Sequence, residues 1–150
     1  MRLLSLTAAG LALAFATAAP AMADAALGTD GDDVYVGTAQ PDEYDGLAGN
    51  DTVSGGGGAD ILLGGVGNDT VDGGPGADYL NGGLGDNKLD PGAGTDEVHA
   101  GSGNDTVTLV NDGAFDLIQC GEGYDVVLLV GGLDVNDEIG ATCEDVRRPA

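Results

Sequence analysis

From Gly28 to Thr108 one nine-residue pattern repeats without insertion or deletion, and a chain with that period can build a core only by stacking each short unit on its neighbours. Two adjacent units show it plainly, GGVGNDTVD at 64–72 and GGPGADYLN at 73–81. The same register gives units beginning at Gly28, Gly37, Gly46, Gly55, Gly64, Gly73, Gly82, Pro91 and Ala100. Their sixth position reads Asp33, Asp42, Asp51, Asp60, Asp69, Asp78, Asn87, Asp96 and Asp105. Their eighth is apolar or aromatic throughout: Tyr35, Tyr44, Val53, Leu62, Val71, Leu80, Leu89, Val98 and Val107. A low-complexity Gly/Asp linker would not keep two columns of side chains in phase. After Thr108 the phase slips by two residues, and units at 111–119 and 120–128 follow, with Asp116 and Ile118, then Asp125 and Val127, in the two key places.

Nine residues divide into a turn of about six and a strand of about three. Glycines at the first, second and fourth positions allow positive φ and close backbone approach, and Thr70-Val71-Asp72 alternates as a short strand burying one face should. Two units then close one coil, with a strand in each of two sheets and the eighth-position side chains pointing inward. That core is thin. One apolar side chain per unit does not offset the ordering of so many glycines, so something besides hydrophobic burial must hold the coil closed.

Stacking also sets the sixth-position carboxylates of every second unit about 4.7 Å apart, where two bare charges repel by about 1 kcal/mol in water and about 3.5 kcal/mol at an effective dielectric of 20. A hard divalent cation between turns reverses the sign of that term. Carboxylate and carbonyl oxygens suit calcium; magnesium demands a tighter octahedron and gives up water reluctantly.

The first two dozen residues differ from the rest. Arg2, an apolar Leu/Ala-rich stretch over 3–19 and Ala21-Met22-Ala23 have the form of an export signal, whose removal would leave Asp24 first. We therefore expect a signal peptide at 1–23, a repeat region at 24–128 and a closing segment at 129–150, with no membrane span after cleavage and a secreted or surface-associated destination. The formal charge of −22 excludes nucleic acid and anionic membranes as partners, because both require clustered Lys and Arg. Cys120 and Cys143, the only cysteines of an exported chain, are expected to form a disulfide, and with a single histidine, His99, they make no zinc site. An enzyme is not expected: HExxH and G-x-S-x-G are absent, and His99 has no second histidine with which to build a relay.

The pattern G-G-x-G-x-D-x-(apolar)-x over residues 28–128 resembles the RTX, or hemolysin-type, calcium-binding repeats. The resemblance implies an all-β fold, a right-handed parallel β-roll of about nine to eleven nonapeptide units, with several calcium ions held between turns two repeats apart. Carried over residue by residue, one edge would pair Asp33 with Asp51, Asp51 with Asp69, Asp69 with Asn87 and Asn87 with Asp105. The other would pair Asp42 with Asp60, Asp60 with Asp78 and Asp78 with Asp96, and Asp116 and Asp125 would extend the two edges. Asn87 offers an oxygen without a charge, so the sites sharing it should be weaker or empty. Thr29, Thr38, Gln40 and Pro41 weaken the first turns similarly, marking residues 28–45 partly as a cap. The C-terminal stretch, with CEDV at 143–146, resembles the ending of small exported bacterial calcium-binding proteins, in which two cysteines lock the last coil. The expected function is calcium binding coupled to folding. The alternative is a rigid acidic module for a carbohydrate, an envelope component or another copy, with Tyr79 and Tyr124 as exposed contacts.

Overall fold

The computed structural model describes residues 13–15 and 25–148; of the expected signal peptide at 1–23, all but Leu13–Phe15 lies outside the described residues. The strands are β1 (Leu13–Phe15), β2 (Ala25–Leu27), β3 (Val34–Val36), β4 (Glu43–Asp45), β5 (Thr52–Ser54), β6 (Ile61–Val66), β7 (Thr70–Asp72), β8 (Pro75–Gly76), β9 (Tyr79–Leu84), β10 (Lys88–Asp90), β11 (Ala93–Gly94), β12 (Glu97–Ser102), β13 (Thr106–Val110), β14 (Leu117–Glu122), β15 (Val126–Val130), β16 (Glu138–Ile139) and β17 (Asp145–Arg147). The chain alternates between two parallel sheets. One has eight strands in the order β1-β3-β5-β7-β10-β13-β15-β17, the other seven in the order β16-β14-β12-β9-β6-β4-β2. The small β8/β11 pair joins two turns.

Within the uninterrupted repeats each strand pairs with the strand two units away at a fixed offset, as in Val53↔Val71 and Leu62↔Leu80. The period of nine is odd while side chains in a strand alternate with period two, so the turn must restore the phase each time. It does so with backbone conformations that side chains disfavour. Gly65 has φ +104° at the second position, and the one non-glycine with positive φ among the described residues, Leu47 at +69°, holds the same position one coil earlier.

The inward column is continuous. Tyr35, Tyr44, Val53, Leu62, Val71, Leu80, Leu89, Val98, Val107, Ile118 and Val127 are all buried, and Tyr35 stacks on Tyr44 with ring centroids 4.3 Å apart. The two-residue slip after Thr108 leaves this column intact. Two residues are one full side-chain period of a strand, so the insertion lengthens β13 and β15 and adds one inward pair, Leu109↔Leu129, without turning any core residue outward.

The roll has about seven turns, more than nine to eleven units supply. The surplus lies at the ends. β1 and β2 precede the first strand of the repeat, and β16 and β17 add one rung to each sheet from the segment after 128, which carries no glycine period. Parallel pairing needs an extended backbone and an apolar residue facing inward, and Ile139 meets that need without a repeat around it.

Candidate functional site

The sixth-position residues fall at the ends of the turns, just before each strand begins, so successive coils stack them in two columns. All are buried: Asp33, Asp51, Asp69, Asn87, Asp105 and Asp125 on the edge leading into the eight-stranded sheet, and Asp42, Asp60, Asp78, Asp96 and Asp116 on the other. One contact repeats along both columns. The backbone N–H of each residue donates to a side-chain oxygen of the next, as in Asp51 to Asp69 Oδ1 (2.8 Å), Asp60 to Asp78 Oδ1 (2.8 Å) and Asp78 to Asp96 Oδ1 (2.8 Å). The slip does not break it, since Asp96 N–H reaches Asp116 Oδ1 at 3.0 Å and Asp105 N–H reaches Asp125 Oδ1 at 2.8 Å.

That bond satisfies one carboxylate oxygen and leaves the other. Oδ2 of Asp51, Asp60, Asp69, Asp78, Asp96, Asp105 and Asp125 is buried without a hydrogen-bond partner. A lone buried carboxylate oxygen is expensive, and seven in register demand a compensating charge.

Asn87 shows what surrounds such an oxygen. Its Nδ2 donates to the carbonyls of Gly85 (3.0 Å) and Ala100 (3.4 Å), while its Oδ1 accepts from Asp69 N–H (3.0 Å). The atom that replaces Oδ2 therefore faces backbone oxygens. The same arrangement recurs at Gly64, where an added Cβ would lie 2.6 Å from Asp69 Oδ2 and 2.7 Å from the carbonyl of Gly82, so glycine is required there by close approach. With aspartate in place of asparagine, oxygen faces oxygen. A cation or a proton reconciles that arrangement, and a donor set of carboxylates and carbonyls is of the kind calcium takes. No three His, Cys, Asp or Glu side chains converge on one point among the described residues, so the carbonyls are an essential part of the set.

The electrostatics follow from burial. Desolvation pushes Asp96 up to about 7 and Asp51, Asp78, Asp105 and Asp116 up to about 6; the N–H of the preceding turn offsets part of this, and neighbouring carboxylates add to it. Asp60, Asp69 and Asp125 are raised for the same leading reason.

Asp33 and Asp42 differ. Oδ2 of Asp33 accepts from the N–H and the hydroxyl of Thr29, the latter at 3.0 Å, and Oδ2 of Asp42 accepts from Thr38 N–H (2.6 Å) and Thr38 Oγ1 (3.0 Å). Burial, with the carboxylates around it, raises the Tyr35 phenol to about 12. These two turns satisfy their aspartates with protein donors.

At the C-terminal end Cys120 and Cys143 are disulfide-bonded. Glu144, which the periodicity does not flag, puts its Oε2 2.8 Å from the N–H of Asp125 and so takes the sixth-position role in a turn without the repeat. The only sequence signal for it was its place immediately before a strand-forming Asp-Val-Arg. Tyr124 is exposed, while Tyr79 is half-buried against His99, whose Nε2 lies 2.7 Å from Glu97 Oε1.

No match was found among curated proteins. The family model of the RTX calcium-binding nonapeptide repeat matches in four overlapping copies, at residues 27–62, 36–71, 54–89 and 72–107, which together span more than half of the chain. With two columns of buried carboxylates stacked along a parallel β-roll, the chain belongs to the RTX calcium-binding repeat family, whose repeats bind several calcium ions.

Proposed function

We propose that this is an exported protein whose β-roll folds as it binds calcium and which carries out no catalysis. The observation behind this reading is the set of seven buried Oδ2 atoms without donors, in turns where the corresponding atom of Asn87 faces the carbonyls of Gly85 and Ala100. Ions between turns would be held by Asp51 with Asp69 on one edge and by Asp60, Asp78 and Asp96 on the other, with Asp105, Asp116 and Asp125 extending the series. Asp33 and Asp42 then serve the N-terminal cap, and Asn87 interrupts its edge. Calcium supplies the positive charge that the buried oxygens lack; the chain supplies the carboxylates, the carbonyls and the spacing.

Export is supported by the apolar start of the chain and by the disulfide, which suits an oxidising compartment. A ligand that binds only the folded state stabilises it by mass action, so a chain exported unfolded would fold on meeting external calcium. A carboxylate repeated at fixed spacing performs one task many times, which suits ion binding better than a catalytic pair.

One observation favours a second reading, an interaction module. Where one edge carries Asn50, Asn68, Asp86 and Asn104 in a hydrogen-bonded ladder, the other carries Ala59, Ala77 and Thr95, leaving an open trough of about 460 Å³ bordered by Tyr79, Phe115 and Leu117.

Far-ultraviolet circular dichroism during calcium titration, with and without excess magnesium, separates the two. A cooperative rise of β signal with calcium alone supports folding coupled to the metal. A chain fully folded in chelator and indifferent to calcium refutes it and leaves the interaction module.

A further inference from the structure

The last rung of the roll lies outside the matched repeats, yet it reproduces their contact with a different residue. Asp125 N–H donates to Glu144 Oε2 at 2.8 Å, and Asp145 N–H donates to the carbonyl of Asp125 at 3.0 Å, just as Val126 N–H donates to the carbonyl of Asp105 at 2.9 Å. Glu144 thus stands over Asp125 as Asp125 stands over Asp105. Asp125 is completely buried, and its Oδ2 has no partner. Glu144 is exposed, so packing does not fix it. It is flanked by two tethers: Asp145 begins β17, which pairs with β15, and Cys143 is bonded to Cys120, the first residue of the unit that carries Asp125. The disulfide ties the start of one turn to the carboxylate of the next.

We propose that Asp125 and Glu144 form a further calcium site at the C-terminal end of this edge, assembled only while the Cys120–Cys143 disulfide is intact. The inference rests on the calcium-binding reading above. In the repeats, neighbouring turns and a glycine-rich loop hold the second carboxylate in place. Here the stacked turn remains but the glycine-rich loop is absent, and the crosslink takes its place, which makes this ion sensitive to thiol reductants while the ions along the middle of the roll are not.

Calcium stoichiometry by isothermal titration calorimetry tests it on the oxidised chain, on Glu144→Gln and on a Cys120→Ser/Cys143→Ser variant. Each variant should bind one ion fewer than the parent, and combining the substitutions should remove no second ion. A full complement in either variant overturns the proposal. Terbium in place of calcium gives a local check that does not depend on total counts. Tyr124 adjoins Asp125 in the chain, so the emission lost in Tyr124→Phe reports the ions beside Asp125, both the end site and the neighbouring one shared with Asp105. Glu144→Gln or dithiothreitol should lower that component, and an undiminished component in either case overturns the proposal. A parent chain that binds no calcium at all would instead refute the reading on which the inference rests.

Discussion

Asp42 and Asp78 occupy the same place in the same kind of turn, two coils apart on one edge, and each passes its backbone N–H to the next carboxylate at 2.8 Å. They differ in what meets the second oxygen. Around the Asp42 oxygen, Thr38 contributes an N–H and a hydroxyl; around that of Asp78 no donor is present. Burying a carboxylate requires donors, a cation or a proton; the first coil has donors, and on the calcium-binding reading proposed above the central coils take the cation. On that reading the sixth-position aspartate is not a metal ligand by position alone, and its role depends on the residue four places before it.

The sharpest way to break this comparison is to make the same substitution at both sites. Asp78→Asn should install at Asp78 what Asn87 already has, an amide whose nitrogen can meet carbonyls, so the calcium-free chain should be no less stable. It should lose the ions shared with Asp60 and Asp96, and its calcium midpoint for folding should rise about tenfold or more, roughly 1.4 kcal/mol or more of binding energy. Asp42→Asn sets an amide against two donors. It should lower stability by about 1–3 kcal/mol at saturating calcium, leaving the ion count unchanged. Calorimetric stoichiometry and chemical denaturation of both variants check this. Matching losses of ions would show that the two regions do not differ.

Protons should divide the regions next. In the calcium-free roll Asp96 titrates near 7 and Asp51, Asp78, Asp105 and Asp116 near 6, above the ordinary 3.8 that they regain on unfolding. The folded chain thus holds these protons more tightly than the unfolded one. The stability they confer is fully present below about pH 4 and is lost as pH rises through 6 to 7. After calcium removal, the β signal should grow as pH falls from 8 towards 5, and the calcium needed for folding should increase over the same range as protons and metal compete. Circular dichroism against pH, with metal removed and then restored, measures both. A calcium-free chain that loses structure on acidification would contradict the assignment of burial as the leading cost.

The repeat makes most of this legible. Period nine predicted parallel strands, and the eighth-position column is the core. Along the chain the two-residue slip breaks the period of nine; in a strand, two residues return to the same face, and Leu109 and Leu129 make the interruption a widening of the core. The rungs at Glu138–Ile139 and Asp145–Arg147 were invisible because a strand of two or three residues, stacked on an existing sheet, needs no pattern of its own. Glu144 was hidden for a related reason: one longer carboxylate held by a disulfide does what a repeated aspartate does elsewhere. Asn87 was visible as a missing charge. That its nitrogen bonds the carbonyls which aspartate would leave facing oxygen was not, since spacing does not say which atoms a side chain meets.

The smallest expected effect tests the hydroxyl that distinguishes the cap. Thr38→Val keeps the shape and the backbone N–H but removes the Oγ1 donor 3.0 Å from Asp42 Oδ2. A hydrogen bond to a charged group contributes about 1.5–3 kcal/mol, and the Thr38 N–H still binds this carboxylate, so the loss should fall at the lower end of that range. Because that donor stays, the opened position should not gain an ion, and the calcium midpoint should shift only through the lost stability. An extra ion in Thr38→Val would mean that a single hydroxyl separates a structural aspartate from a metal-binding one, and the cap would then be a calcium site held closed by threonine.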